Sequence, residues 1–198
     1  MRIIFATNSE NKLKEVKSLK PENLDLEIVG LKEVGINIDP TEYGKTLAVN
    51  ALIKVETIQQ CTKSNDIIIG EDSGFYIDTL FGFPGVLSKR FMDGTDFDRN
   101  QHFIDIFHNQ PTTPRNASLV CFYAIAFPNF SYMITKGELK GTIATEQRGE
   151  NGFAYDKILI PEGYNKTLAE MTLEEKNLIS FRSMAVKKVW EILEGYFN

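Results

Sequence analysis

The chain is poor in residues that announce chemistry by themselves. It holds two cysteines, Cys61 and Cys121. They make no metal-type spacing, and two thiols build no disulfide framework, so both read as reduced fillers. Its two histidines, His102 and His108, lack the i, i+4 spacing of a helical zinc pair and are expected at the surface or a rim. No apolar run approaches the ~20 residues that cross a bilayer. The opening Met1–Ala6 segment is too short for an export signal and runs into polar residues, which sets the expectation of a cytoplasmic protein. Basic residues are outnumbered 22 to 27, a net charge of −5. That argues against holding nucleic acid polymers by bulk charge and leaves only local basic pockets. Internal repeats, linkers and low-complexity stretches are also missing. At 198 residues the chain is expected to form a single domain over 1–198, large enough for a substantial core and with room for two lobes sharing one sheet.

What is present is organised around Asp66-Ile67-Ile68-Ile69-Gly70-Glu71-Asp72-Ser73-Gly74. Three successive isoleucines read as a buried strand ending at Gly70. Two carboxylates follow, at the kind of strand end where open α/β sheets bind ligands. Adjacent acids repel unless a cation sits between them or one keeps its proton. Hard oxygen ligands suit Mg2+, which takes one or two carboxylates and completes its shell with water and phosphate oxygens. Asp-Ser-Gly is equally the chemistry of a solvated turn.

Arg2–Ala6 reads as a first strand, followed by Thr7-Asn8-Ser9-Glu10-Asn11-Lys12 and a helix carrying Leu13, Val16 and Leu19 at helical spacing. A capped helix start leaves backbone N–H groups free and is suited to phosphate, with Lys12 adding charge. The glycines of a Walker-type loop are absent, and a plain cap with a surface lysine fits the same residues. Leu24–Val29 is a second strand. Leu47, Ala51, Val55 and Ile58 mark a long amphipathic helix bearing Asn50 and Lys54, with Glu42 just ahead of it. Phe75–Asp78 reads as a separate short strand, and Gly82-Phe83-Pro84-Gly85 as a tight loop followed by Arg90, a candidate phosphate fork. Phe97, Ile104 and Phe107 fit another helix. Ala117–Phe127 and Ser131–Leu139 form a long hairpin that turns at Pro128-Asn129. Phe153-Ala154-Tyr155-Asp156 follows a glycine-led loop; its aromatics fit either a base-stacking wall or the core. Ile158–Ile160 is a short strand ended by Pro161. Thr172-Leu173-Glu174-Glu175 is a capping box that starts a helix, with a break near Ser180 and polar groups Lys176 and Arg182 around it.

Five of these pieces stand in a family-like order: Ile-Phe-Ala-Thr-Asn-Ser-Glu-Asn-Lys, Glu-Asp-Ser-Gly, Phe-Pro-Gly-Val-Leu-Ser, Gly-Phe-Ala-Tyr-Asp and Glu-Lys-Asn…Ser-Phe-Arg. Nearly end to end, the chain resembles the inosine/xanthosine triphosphate pyrophosphatases, which remove non-standard purine nucleotides. The resemblance implies an α/β fold with an elongated mixed β-sheet flanked by helices, two lobes and a central active-site cleft. It implies a homodimer, and Mg2+-dependent hydrolysis (Mn2+ as the other ion) of ITP, dITP and XTP to the monophosphate and pyrophosphate. By the family's pattern Thr7, Asn8, Ser9, Glu10, Asn11 and Lys12 hold the triphosphate. Asp72 is metal ligand and proton acceptor, Ser73 touches the nucleotide, and Asn50 faces the phosphates. Phe153, Ala154, Tyr155 and Asp156 form one wall of the base pocket, with Lys176 and Arg182 opposite. Glu42 matches an acidic metal position, where the family often has two acids and this chain has Thr41-Glu42.

Three departures concern the base. Phe181 stands where the family usually has His, Ala154 where Gly is common, and Lys157 where Pro is common. The hydrolytic residues match and the base-recognising ones are altered, so a pyrophosphatase with shifted base preference, or a nucleotide-binding protein without turnover, are the alternatives.

Overall fold

The structure is a computed structural model and describes residues 2–62 and 65–197. Among these residues, β1 (Arg2–Phe5), β2 (Glu27–Gly30), β3 (Ile67–Ile77), β4 (Pro84–Gly85), β5 (Asn116–Ala126), β6 (Tyr132–Ile143) and β7 (Leu159–Pro161) form one mixed sheet. The order is β2-β1-β3-β5-β6-β7, with β4 paired to β3. The helices are α1 (Glu10–Ser18), α2 (Leu47–Cys61), α3 (Asp96–His108), α4 (Leu173–Ile179) and α5 (Phe181–Phe197). The expected α/β class with a mixed, helix-flanked sheet is therefore what forms. No helix among the described residues is long and apolar enough to cross a membrane.

The chain divides into two compact units. The first comprises Met1–Asp72, Cys121–Gly137 and Arg182–Asn198; the second comprises Ser73–Val120 and Glu138–Phe181. In the first, β1 pairs in parallel with both β2 and β3. Parallel neighbours need a crossover, which α1 and α2 supply. Strands covered on both faces read as unbroken apolar runs. Ile67, Ile68 and Ile69 are all at most 1% exposed, with Ile68 packed among Ile4, Val29, Ala51, Val55 and Ile58. Cys121 is buried in the same unit, and burial pushes its thiol pKa up.

Strand β3 does not end at Gly70 as the sequence suggested. It runs on to Ile77 and absorbs the segment expected to be a separate strand. The two glycines that looked like punctuation are close-approach positions instead. A Cβ at Gly70 would lie 2.9 Å from the Ala51 carbonyl oxygen and 2.9 Å from Val55 Cγ1 on α2. In the second unit, a Cβ at Gly74 would lie 2.5 Å from the Gly85 carbonyl oxygen on β4. Glycine within a strand commonly marks such an approach.

In the second unit β7 runs antiparallel to β6, with Pro161 inside it opposite Gly141. Helix α3 begins at a reciprocal cap between Thr95 and Asp98. Its buried stripe is Asn100, Phe103, Ile104 and Phe107, whereas Phe97 is 62% exposed and lies off that stripe. The predicted capping box is present: Thr172 Oγ accepts from Glu175 N, and the Glu175 carboxylate accepts from Thr172 N. The break at Ser180 is also present, separating α4 from α5.

Candidate active site

A β-strand sends successive side chains to opposite faces. On β3 this separates the two adjacent acids, so Glu71 and Asp72 do not share one cation. Each has its own.

Glu71 has a fully buried side chain that meets Lys12 Nζ at 2.5 Å and Arg182 Nε at 3.3 Å. Arg182 continues to Glu15, with NH1 3.2 Å from Oε2. The result is a chain of alternating charge, Lys12–Glu71–Arg182–Glu15, within the first unit. Burial alone would raise the Glu71 pKa, but Lys12, Arg182 and Lys54 outweigh it and hold the pKa at about 2. Burial likewise works against the charged form of Arg182, and Glu15 and Glu71 overcome it, so its pKa stays above the ordinary value.

Asp72 faces α2. Its Oδ2 accepts from Asn50 Nδ2 at 2.9 Å and its Oδ1 from Lys54 Nζ at 3.3 Å. Asn50 and Lys54 are four residues apart and so share one helix face. Asn50 Oδ1 also accepts from Gly44 N at 2.8 Å, which anchors the segment carrying Glu42. Lys54 Nζ lies 2.6 Å from Glu42 Oε1 and donates to the Glu71 carbonyl oxygen at 2.8 Å. Asp72 titrates above the ordinary aspartate range, chiefly because it is buried, with Lys54 opposing and Glu42 adding to the shift. Lys54 is pulled down by burial, yet Asp72, Glu42 and Glu71 raise it overall.

The segment from Thr7 to Lys12 is divided between loop and helix. Thr7, Asn8 and Ser9 precede α1, while Glu10, Asn11 and Lys12 form its first turn. Ser9 caps the helix, its Oγ accepting from Lys12 N at 3.4 Å, and its own N–H donates to Thr7 Oγ1 at 3.1 Å. Asn8 Nδ2 is held by the Ile38 carbonyl and Asp39 Oδ1. Glu10 is at the surface, 3.6 Å from Lys32.

The remaining expected residues belong to the second unit. Lys176 Nζ lies 2.8 Å from Asp156 Oδ2 and 5.4 Å from the centroid of the Phe153 ring. The same Asp156 oxygen accepts from Phe153 N at 3.0 Å, closing the turn. Ala154 adopts φ +51° in that turn, a left-handed conformation that favours glycine. Its N–H donates to Asp96 Oδ2 at 3.2 Å and its carbonyl accepts from Asn100 Nδ2 at 2.9 Å. Tyr155 is a core residue, stacked on Phe75 with centroids 4.5 Å apart and donating its hydroxyl to the Ser88 carbonyl. Phe181 is 1% exposed. Arg90 is exposed, and His102 packs against Phe91 and Phe103.

Two residues take parts that the sequence reading does not give them, Lys54 as the Asp72 cation and Glu71 as the partner of Lys12 and Arg182. Lys54 had a usable signal, its four-residue spacing from Asn50. Glu71 had another, since strand alternation forbids it from sharing the side of Asp72.

Comparison with known proteins identifies the family. The model of the Ham1 family matches residues 3–192. A dITP/XTP pyrophosphatase of Caldanaerobacter subterraneus is 37% identical over 195 residues, covering 98% of this chain and 96% of that protein. The dITP/XTP pyrophosphatase of Bacillus subtilis is 36% identical, covering 97% and 96%. Among solved structures, the Ham1 protein of Staphylococcus aureus aligns with TM-score 0.86 at 31% identity, over 99% of this chain and all of that one. A HAM1 protein from Coxiella burnetii aligns with TM-score 0.87 at 31% identity, over 98% and 99%. With these near-complete matches in sequence and fold, the chain belongs to the Ham1 family.

Proposed function

We propose that this chain is a divalent-metal-dependent nucleoside triphosphate pyrophosphatase that cleaves dITP, XTP and ITP to the monophosphate and pyrophosphate. The observation that carries the proposal lies on β3. Two neighbouring acids tie Lys12, at the start of the phosphate-binding helix, and the Asn50/Lys54 face of α2 to a single strand.

Glu42 and Asp72 would hold the metal. The donor set fits: two carboxylates and the Glu71 carbonyl already converge on one cation, the Lys54 ammonium, and Mg2+ favours such hard oxygens with water and phosphate completing its shell. Bound Mg2+, or Mn2+, would supply Lewis acidity toward the phosphate oxygens and neutralise charge on them. The chain's residues supply the rest. Asp72, oriented by Asn50 and with its pKa raised by burial, accepts a proton from the water that attacks the α-phosphorus. As the bond from the α-phosphorus to the departing oxygen breaks, Lys12 and the open N–H groups of the first turn of α1 take up charge on pyrophosphate. Thr7, Asn8 and Ser9 shape that cradle. Glu10, Asn11 and Ser73 enter the proposal on the family resemblance alone, and Arg90 as a loop arginine able to fork onto phosphate oxygens.

For the base, Phe153 and Lys176 enter the proposal on the family resemblance. An ammonium is a donor only and suits the O6 acceptor of hypoxanthine and xanthine; adenine's amino group would be left facing it. Ala154, Tyr155 and Asp156 hold that wall in place. Arg182 and Lys176 are both buried and ion-paired, Arg182 to Glu71 and Glu15 and Lys176 to Asp156, and Phe181 is buried with no polar group. That favours a second reading in which base preference is looser than in relatives with His at this position. A homodimer and a cytoplasmic site of action complete the proposal on the same resemblance, and sedimentation would check the first.

The test is turnover of ITP, dITP, XTP, GTP and ATP with Mg2+, quantifying pyrophosphate and orthophosphate separately. Pyrophosphate from ITP, dITP and XTP, abolished in Asp72→Asn, is expected. Orthophosphate as the product, or undiminished turnover in Asp72→Asn, would refute the proposal.

A further inference from the structure

We infer that Lys54 is a tethered counterion that fills the Glu42/Asp72 oxygen cage in the nucleotide-free protein, so that a divalent metal enters only by displacing its ammonium. The inference rests on the assignment of Glu42 and Asp72 as metal ligands. An ammonium has three donors. Lys54 spends them on three oxygens: Glu42 Oε1 at 2.6 Å, the Glu71 carbonyl at 2.8 Å and Asp72 Oδ1 at 3.3 Å. These are the oxygens a hard divalent cation would use. The Lys54 side chain is 11% exposed and Asp72 8%, so little water screens the contact. Two cations this close in a partly dry cage repel strongly, and the two occupancies exclude one another. Lys54 can leave because its four-carbon stem is flexible and its backbone lies on α2, which need not move.

The cage arrangement has a consequence for affinity. If the ammonium holds the cage about nine-tenths of the time, the competent fraction is about one-tenth and metal affinity falls about tenfold. Metal would then bind the nucleotide-free protein weakly.

The experiment is calorimetric titration of MgCl2 into the full chain without nucleotide, comparing wild type with Lys54→Met and Lys54→Arg, each with and without Glu42→Gln. The inference expects Lys54→Met to bind Mg2+ about tenfold more tightly, Lys54→Arg not to, and Glu42→Gln to remove the gain. A second readout follows the lysine itself. Acylation of Lys54 by an N-hydroxysuccinimide ester, mapped by peptide mass, should rise when MgCl2 saturates the wild-type protein. Unchanged or weaker binding in Lys54→Met, with binding still sensitive to Glu42→Gln, would overturn the exchange and leave the metal ligands standing. Binding indifferent to Glu42→Gln in every background would remove the metal assignment and the exchange with it. Should Lys54→Met fail to fold, the acylation readout on wild type decides: no increase overturns the inference.

Discussion

Replacing Glu71 by glutamine tests the ion chain most directly, because Gln keeps the shape and removes the charge. In the folded state the Glu71 pKa is depressed from 4.5 to about 2. A carboxyl depressed on folding contributes stability at pH values above its unfolded pKa and loses it as pH falls through the folded one. At about 1.4 kcal/mol per unit, Glu71 contributes about 3 kcal/mol at pH 7, nearly as much at pH 4.5, and about 1 kcal/mol at pH 3. Glu71→Gln also leaves Lys12 and Arg182 without the carboxylate between them, and breaking one side of a buried pair costs about 3–5 kcal/mol. The expected loss is therefore about 3–5 kcal/mol at pH 7, shrinking by about half by pH 3. Urea unfolding of both proteins at pH 7, 4.5 and 3 reads this from the midpoints and slopes. Two results would refute the reasoning: a loss under about 1 kcal/mol at pH 7, the size of a surface pair, or a loss that does not change with pH.

Two further outcomes follow from single contacts. Gly70→Ala forces a Cβ to within 2.9 Å of the Ala51 carbonyl and of Val55 Cγ1, which overpacks the β3–α2 interface and should cost about 1–3 kcal/mol, measured by the same unfolding assay. Phe181→His should raise kcat/KM for ITP and XTP relative to ATP by at least about tenfold, the scale on which a polar group in a site discriminates. If every substrate ratio in the nucleotide panel stays unchanged while the variant remains folded, residue 181 takes no part in base choice.

How far the sequence could be read depended on whether a local signal matched the contact that used it. The triple isoleucine of β3, the Thr172 capping box and the break at Ser180 were legible because each is a short-range pattern with one physical cause: two-faced burial, a capped helix start, and an interrupted periodicity. Gly70 and Gly74 misled for the same reason. Glycine is the usual mark of a turn, and nothing local distinguishes that from a strand over which a helix or another strand passes closely. With the strand ending at Gly70, Glu71 and Asp72 are two charges in one place that call for a cation or a retained proton. With the strand continued, the twofold alternation of side chains answers the repulsion by itself: Glu71 turns to Lys12 and Arg182, and Asp72 to Asn50 and Lys54. Arg182 was beyond local reading, because its partners Glu15 and Glu71 lie 167 and 111 positions away. A long-range buried pairing fixes whether an arginine is a ligand hand or a structural pin. Here two carboxylates hold it, and the shared Glu71 carboxylate links it to Lys12.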